Sequence, residues 1–230
     1  LGLMLIALFL IILVTFVIMH AVPGGPFTSD RNLSEEVEAA LNAKYHLDDM
    51  VRLLIPDCEI VTAVGATKGS ACSCLLAVDL LEEEEPLVIA GGDQLMLQNP
   101  QTVIQEFQTK DYDGGVVIFD DIHPRWSFVK LDGENMVIEA AEKRPISRNA
   151  TTGFYYFKKA DDFIHSAQEM IRKDASVNGQ YYVCPCFNEM VLEHKKIGTY
   201  RISKQEYFNF NQQKGMDDYE RYLKEERLYV

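Results

Sequence analysis

Three stretches of this chain combine residue types that handle phosphates, sugars or divalent metal ions. The first is Gly91-Gly92-Asp93, directly after the apolar run Pro86-Leu87-Val88-Ile89-Ala90. A carboxylate just past the carboxyl end of a central parallel strand faces the crevice where open α/β sheets bind ligands, and glycines there admit a phosphate or base. Asp93 is therefore a candidate ligand for a divalent ion that bridges phosphate oxygens, with turn or helix capping as the plain alternative. The second is Gly65-Ala66-Thr67-Lys68-Gly69-Ser70-Ala71. Small residues ahead of a free helix N-terminus favour an anion or nucleotide, although the string is neither a Walker A nor a dinucleotide fingerprint and a simple strand-to-helix turn explains it equally. The third is Ala141-Glu142-Lys143-Arg144-Pro145, where Glu142 suits sugar hydroxyls and Lys143 a phosphate. An exposed, salt-bridged strand end is the alternative there.

Composition narrows the partners. The 230 residues carry a formal net charge of -13, shared by both ends of the chain, which disfavours nucleic acid and anionic lipid. Five cysteines, Cys58, Cys72, Cys74, Cys184 and Cys186, form no disulfide-like framework, which indicates reduced thiols and a cytosolic body. Cys72-Ser-Cys74 and Cys184-Pro-Cys186 invite a zinc reading, but their spacing is not that of the usual structural knuckle, and small buried thiols are the plainer account.

The elements that must position these residues follow from periodicity. Glu59–Val64, Pro86–Ala90, Gly115–Phe119, Ser127–Leu131, Val137–Ala141, Gly153–Phe157 and Tyr200–Ile202 read as strands. Gly69–Leu81, Pro100–Phe107, Ala160–Lys173 and Asp217–Glu226 read as helices, giving a layered α/β domain with a mixed or antiparallel part. The continuous apolar character of 86–90 predicts a strand buried on both faces of a parallel sheet.

The first 50 residues are of another kind. Leu1 to Val22 contains no charged residue, and about 20 apolar residues match the hydrocarbon thickness of a bilayer, so residues 1–22 are expected to anchor the chain in a membrane. A cleaved signal peptide is the competing reading. Pro23-Gly24-Gly25-Pro26 ends the run, and 32–43 reads as an amphipathic helix. The string Val14-Thr15-Phe16-Val17-Ile18-Met19-His20-Ala21-Val22-Pro23-Gly24-Gly25-Pro26-Phe27, continued by Leu41 to Asp49, resembles the first membrane helix of oligopeptide and dipeptide ABC-transporter permeases. Met50 stands where that pattern has proline, and the likeness stops there, placing the junction at Asp48–Arg52.

From residue 51 onward an ordered set of short motifs resembles the sugar-phosphate nucleotidyltransferases. They are Asp57-Cys58, Gly65-x-x-x-Gly69-x-Ala71, Ala90-Gly91-Gly92-Asp93-Gln94, His123-Pro124-Arg125-Trp126-Ser127, Ala141-Glu142-Lys143 with Ile146-Ser147, Asn149-Ala150-Thr151-x-Gly153-x-Tyr155, and Tyr182-Val183-Cys184-Pro185 with Asn188. The resemblance implies an α/β fold, a Rossmann-like mixed sheet flanked by helices and shared with glycosyltransferases of the GT-A type, here preceded by one transmembrane-type helix. It implies condensation of a nucleoside triphosphate with a sugar 1-phosphate and release of pyrophosphate, with Mg²⁺ as cofactor. On the same resemblance Asp93 and Lys143 are catalytic, Asp93 holds the metal, and Gly65, Gly69, Ser70, Ala71, Gly92, Glu142, Lys143, Asn149 and Gly153 bind substrate. Asp217 is the candidate second metal ligand.

Residues 1–50 supply neither the first strand, nor the Gly-rich, Arg-containing triphosphate loop, nor the following Lys of that family. The expected organisation is thus a permease-like segment at 1–50 and a truncated transferase-like domain at 51–230, membrane-anchored with a cytoplasmic body. The alternatives are a non-catalytic membrane-anchored protein that binds nucleotide-sugars or resembles glycosyltransferases, and a permease fragment fused to unrelated sequence.

Overall fold

The structure, a computed structural model, describes residues 47–227. It divides into two units, Leu1–Ala66 and Thr67–Val230. The hydrophobic segment 1–22 and the expected helix at 32–43 lie outside the described residues, and no helix among those described is long and apolar enough to cross a membrane.

In the first unit, helix α1 (Leu47–Leu54) runs through the expected junction, and the chain then continues without regular structure. The strand expected at Glu59–Val64 does not form. A strand needs a neighbour for its N–H and C=O groups, and no described strand pairs with this segment, whose Val64 is fully exposed.

The second unit opens with α2 (Ser70–Leu75) and a 3-10 turn at Val78–Leu80. The single helix expected over 69–81 thus breaks in two, because the Leu80 N–H turns back to Ala77 O and the Leu81 N–H to Val78 O. Strands β1 (Leu87–Ile89) and β2 (Gln94–Met96) precede α3 (Pro100–Thr109). There Asn99 caps the helix by accepting from the Gln101 N–H, and Pro100 fills the first turn. Strands β3 (Gly114–Asp120), β4 (Ser127–Leu131), β5 (Val137–Glu142) and β6 (Asn149–Phe157) follow. Then come α4 (Ala160–Arg172), α5 (Val183–Leu192), β7 (Ile197–Arg201), a 3-10 turn at Lys204–Glu206, β8 (Tyr207–Asn209) and α6 (Gln213–Arg227).

The main sheet runs β5-β4-β6-β3-β7, with β1 also on β6, while β2 and β8 pair separately. Among the described strands only β3 and β7 pair in parallel. This corrects the expectation for 86–90: β1 is a three-residue edge strand, antiparallel to β6, with Val88 36% exposed. An apolar run of that length serves an edge strand with one face on a core as well as a strand buried on both sides. Helices cover both faces, and the core is two clusters. Phe163, Ala167 and Met170 of α4 and Phe187 of α5 pack on one face, where the Phe157 and Phe187 rings stack at 4.9 Å. Val103 and Phe107 of α3 pack on the other with Phe119, Trp126, Tyr156 and Tyr207.

At the rim of that second cluster, Asp121 accepts from the backbone N–H groups of Ile122 and His123 and pairs with Lys204 at 3.1 Å. Burial raises this carboxyl, but the His123 N–H and the Lys204 ammonium outweigh it and hold the pKa at about 2. A carboxyl depressed in the folded state stabilises above its unfolded pKa near 4, and that contribution is lost as pH falls towards about 2. We expect the fall in unfolding free energy between about pH 6 and about pH 2 to be about 2 kcal/mol smaller in Asp121→Asn, measured by urea denaturation.

Candidate functional site

The site grows from one irregularity. Along β6, Tyr155 pairs with Val116 of β3, but the next partner pair is Thr151 with Ile118, so three residues of β6 stand opposite Val117 alone. Gly153 lies in this bulge at φ +88°, a conformation that costs a side chain about 1–2 kcal/mol. On the opposite edge of β6, β4 pairs only at Ala150 and β1 only from Tyr155 to Phe157. Between them the edge is open.

A cleft of about 270 Å³ occupies that opening. Ile89, Ala90, Gly91, Asp93 and Gln94 line it from the β1 side, and Ser127 and Glu142 from the β4–β5 side. Gly153 and Tyr155 come from β6, Ser70 and Cys74 from α2, and Tyr182, Val183 and Cys184 from the start of α5.

Bulges leave backbone groups to satisfy, and side chains take up two of them here. The Thr152 carbonyl accepts from the Tyr207 hydroxyl at 2.8 Å, and the Phe154 N–H donates to Thr152 Oγ1 at 3.2 Å. Gln94 closes the network. Its Oε1 accepts from the Gly91 N–H at 2.9 Å, and its Nε2 faces the Tyr207 hydroxyl at 2.8 Å and the Thr152 carbonyl. The turn that carries Asp93 is thereby tied to the bulge, and the Asp93 carbonyl is held by the Phe210 N–H at 2.8 Å. Burial, with Asp93 nearby, pushes the Tyr207 hydroxyl up to about 12, so it stays protonated and keeps donating.

Glu142 is buried, and its Oε2 accepts from Ser127 Oγ. Lys143 follows at φ +53°, and its Nζ donates to the Tyr182 hydroxyl at 2.9 Å while lying 4.9 Å from that ring. Lys143 thus meets the cleft through Tyr182 rather than lining it. A lysine in this sparsely populated conformation costs of order 1 kcal/mol, strain of the kind that collects at functional sites.

The structure therefore brings Ser70, Asp93, Glu142 and Gly153 of the expected residues to one cleft, with Lys143 at its edge. It places others elsewhere. Asn149 donates from Nδ2 to Val129 O and accepts from Arg201 on Oδ1, which ties β6 to β4 and β7, and it does not line the cleft. Gly69, at φ +103°, and Ala71 serve packing: a Cβ on Gly69 would stand 2.4 Å from Tyr181 O, and the Ala71 N–H donates to that oxygen at 3.0 Å. Gly92 belongs to the Asp93 turn with open space around it, and Gly65 lies in the first unit. Asp217 accepts from Gln213 Nε2 within α6 and does not line the cleft. Gln94, Ser127 and Tyr182 stand inside the matched strings, and the sequence assigned them no role. Adjacency to Asp93 and Glu142-Lys143 in the fold, which spacing does not show, is what identifies them.

Burial pushes the Cys184 and Cys186 thiols far up and raises Cys74. Among the described residues no three His, Cys, Asp or Glu side chains are grouped to hold a metal. A lone carboxylate such as Asp93 beside glycine backbone still suits Mg²⁺, which takes one or two carboxylates and completes its shell with phosphate oxygens and water.

Comparison with known proteins bears on this geometry. The family described as nucleotidyl transferase matches residues 27–184, a range that begins inside the permease-like segment. Among solved structures, a nucleoside-diphosphate-sugar pyrophosphorylase from Vibrio cholerae RC9 superposes with a TM-score of 0.63 at 22% identity, covering 78% of this chain and 76% of that one. A UDP-glucose pyrophosphorylase complexed with UDP-glucose gives 0.60 at 16% identity, covering 80% and 73%. The oligopeptide transport system permease protein OppB of Escherichia coli K12 is 48% identical over 44 residues, which are 19% of this chain and 14% of that protein. The dipeptide permease DppB of Bacillus subtilis 168 is 51% identical over 35 residues, 15% of this chain and 11% of that protein.

Two substitutions separate shape from chemistry. A Cβ on Gly153 meets the left-handed penalty and presses on the Gln94 amide at 3.1 Å. We expect Gly153→Ala to lose about 1–3 kcal/mol in urea unfolding. A Cβ on Gly91 would stand 2.7 Å from Asp93 Oδ1, the movable end of a side chain. We expect Gly91→Ala to stay within about 0.5 kcal/mol of the parent stability while displacing the carboxylate and weakening Mg²⁺-dependent ligand binding, read by calorimetry.

Proposed function

The chain belongs to the nucleotidyl transferase family, and on that premise we propose that it joins a nucleoside triphosphate to a sugar 1-phosphate, giving a nucleotide-sugar and pyrophosphate. The observation that carries this reading is the cleft itself, with Asp93 on the β1 side and the Glu142–Lys143 pair on the β5 side of one opening in the sheet.

The division of labour follows from the side chains. Glu142 is a hydroxyl acceptor: a carboxylate offers about four lone-pair directions, and Ser127 fixes its orientation from one side. Lys143, steadied over the Tyr182 ring, brings a positive charge to the same edge for a sugar phosphate. Gly91 and Gly92 let the phosphates approach the backbone, and Gln94 keeps the Asp93 turn in register with β6. Asp93 would hold Mg²⁺, which when bound neutralises phosphate charge. The reaction needs in-line placement of two substrates more than a covalent nucleophile, which agrees with buried, neutral thiols in the cleft wall.

The test is pyrophosphate release from a panel of nucleoside triphosphates and sugar 1-phosphates in the presence of Mg²⁺. We expect turnover with at least one pair, lowered about 100-fold or more by Asp93→Ala and by Glu142→Gln. Absence of both turnover and ligand binding in the folded full-length chain overturns the proposal. Asp93-dependent binding of a nucleotide-sugar without turnover replaces it with a non-catalytic binding role.

A further inference from the structure

A second recess lies on the other face of the sheet. The cleft is floored by Tyr155 and Cys184, which pack in the cluster under α4 and α5, whereas this recess is built on Trp126 and Tyr207, which pack in the cluster under α3. Its volume is about 100 Å³, and Arg125, Lys204, Lys214 and Gln212 line it over the two rings.

Three cations meet there in a chain of net charge -13. The Lys204 ammonium is laid over Phe119 at 3.9 Å and Trp126 at 4.4 Å, with Asp121 as its carboxylate partner. The Arg125 guanidinium lies 4.4 Å above the Trp126 ring and donates to the neutral Gln212 amide at 3.1 Å. No carboxylate stands within ion-pair distance of Arg125 or Lys214 among the described residues, while Asp218, also on the wall, pairs with Arg221 at 3.3 Å. Burial lowers the Lys204 ammonium, its Asp121 partner raises it in part, and the charges of Arg125 and Lys214 lower it, so these two cations lie close enough to Lys204 to be felt by it.

The first turn of α6 adds to this. Gln212, Lys214 and Gly215 line the recess, so the positive end of a 15-residue helix lies beside it, the Gly215 N–H itself being taken by Gln212 O at 2.9 Å. The recess volume of about 100 Å³ is of the size of a phosphoryl group.

We propose that this recess is a second anion site, separate from the cleft, that takes inorganic phosphate or the phosphoryl end of a phosphate ester. Arg125 and Lys214 are its exposed recognition groups, and Lys204, seated on the aromatic rings, is its fixed charge. The site does not depend on the activity proposed above.

The test is calorimetric titration of the full-length chain at low ionic strength with inorganic phosphate and, separately, with glycerol 3-phosphate. We expect one saturable event that weakens about tenfold in Arg125→Gln and in Lys214→Gln, and that weakens with added salt. It should persist in Asp93→Ala and Glu142→Gln, which makes its failure distinguishable from failure of the cleft. Tighter binding of the ester identifies an ester as the ligand, and tighter binding of phosphate identifies the free anion. The proposal is overturned by no saturable binding, by binding that both recess variants retain, or by binding that only the cleft variants abolish. Thermal unfolding of each variant by circular dichroism confirms that it is folded.

Discussion

The cleft depends on one break in one hydrogen-bond ladder. Strand β6 pairs with β3 along one edge on both sides of the bulge, and its other edge is divided between β4 at the start and β1 at the end. A regular strand could not serve two partners that diverge. The extra length at Thr152-Gly153-Phe154, with Gly153 at φ +88°, lets β6 bend between them. That bend opens the sheet, and every group assigned chemistry here reaches the opening from an element that β6 holds in place.

A bulge without support would relax. This one is braced by side chains from distant parts of the chain: Tyr207 holds the Thr152 carbonyl, and Gln94 holds both Tyr207 and Gly91. Tyr207 is itself fixed by stacking with Phe119 at 5.1 Å and by the edge contact with Trp126 at 5.7 Å. The aromatic cluster on one face therefore sets the position of a carboxylate that serves the other. The same rings seat Lys204, so the two candidate binding sites share a structural wall while differing in charge.

Much of this was legible in the sequence, for physical reasons. Long strands and amphipathic helices announce themselves by period: β4 matches its expected bounds, and α4 ends one residue early. Asp93 and Glu142-Lys143 stood out in the sequence through their place in an ordered set of motifs, since each alone reads equally as a turn or a salt-bridged strand end. What escaped the sequence depends on contacts remote in the chain. Strands β2 and β8 are three residues each and exist because they pair across more than 100 residues. The first turn of α5 contains Pro185, which reads as a helix breaker but is tolerated at the third helical position. Gly153 lies four residues inside a strand that the sequence started at the glycine itself. Asn149, which the resemblance puts among the substrate-binding residues, bonds Val129 O and Arg201, partners remote in the chain. The cation recess draws Arg125, Lys204 and Lys214 from three segments that no local pattern connects.

The central claim is that the opening in β6 is where substrate sits. Amide hydrogen exchange of the full-length chain, with and without Mg²⁺, a nucleoside triphosphate and a sugar 1-phosphate, tests it most directly. Added protection is expected at 89–94 and 151–155, the two segments that frame the opening. Protection confined to other segments, or no change at saturating ligand, would contradict it.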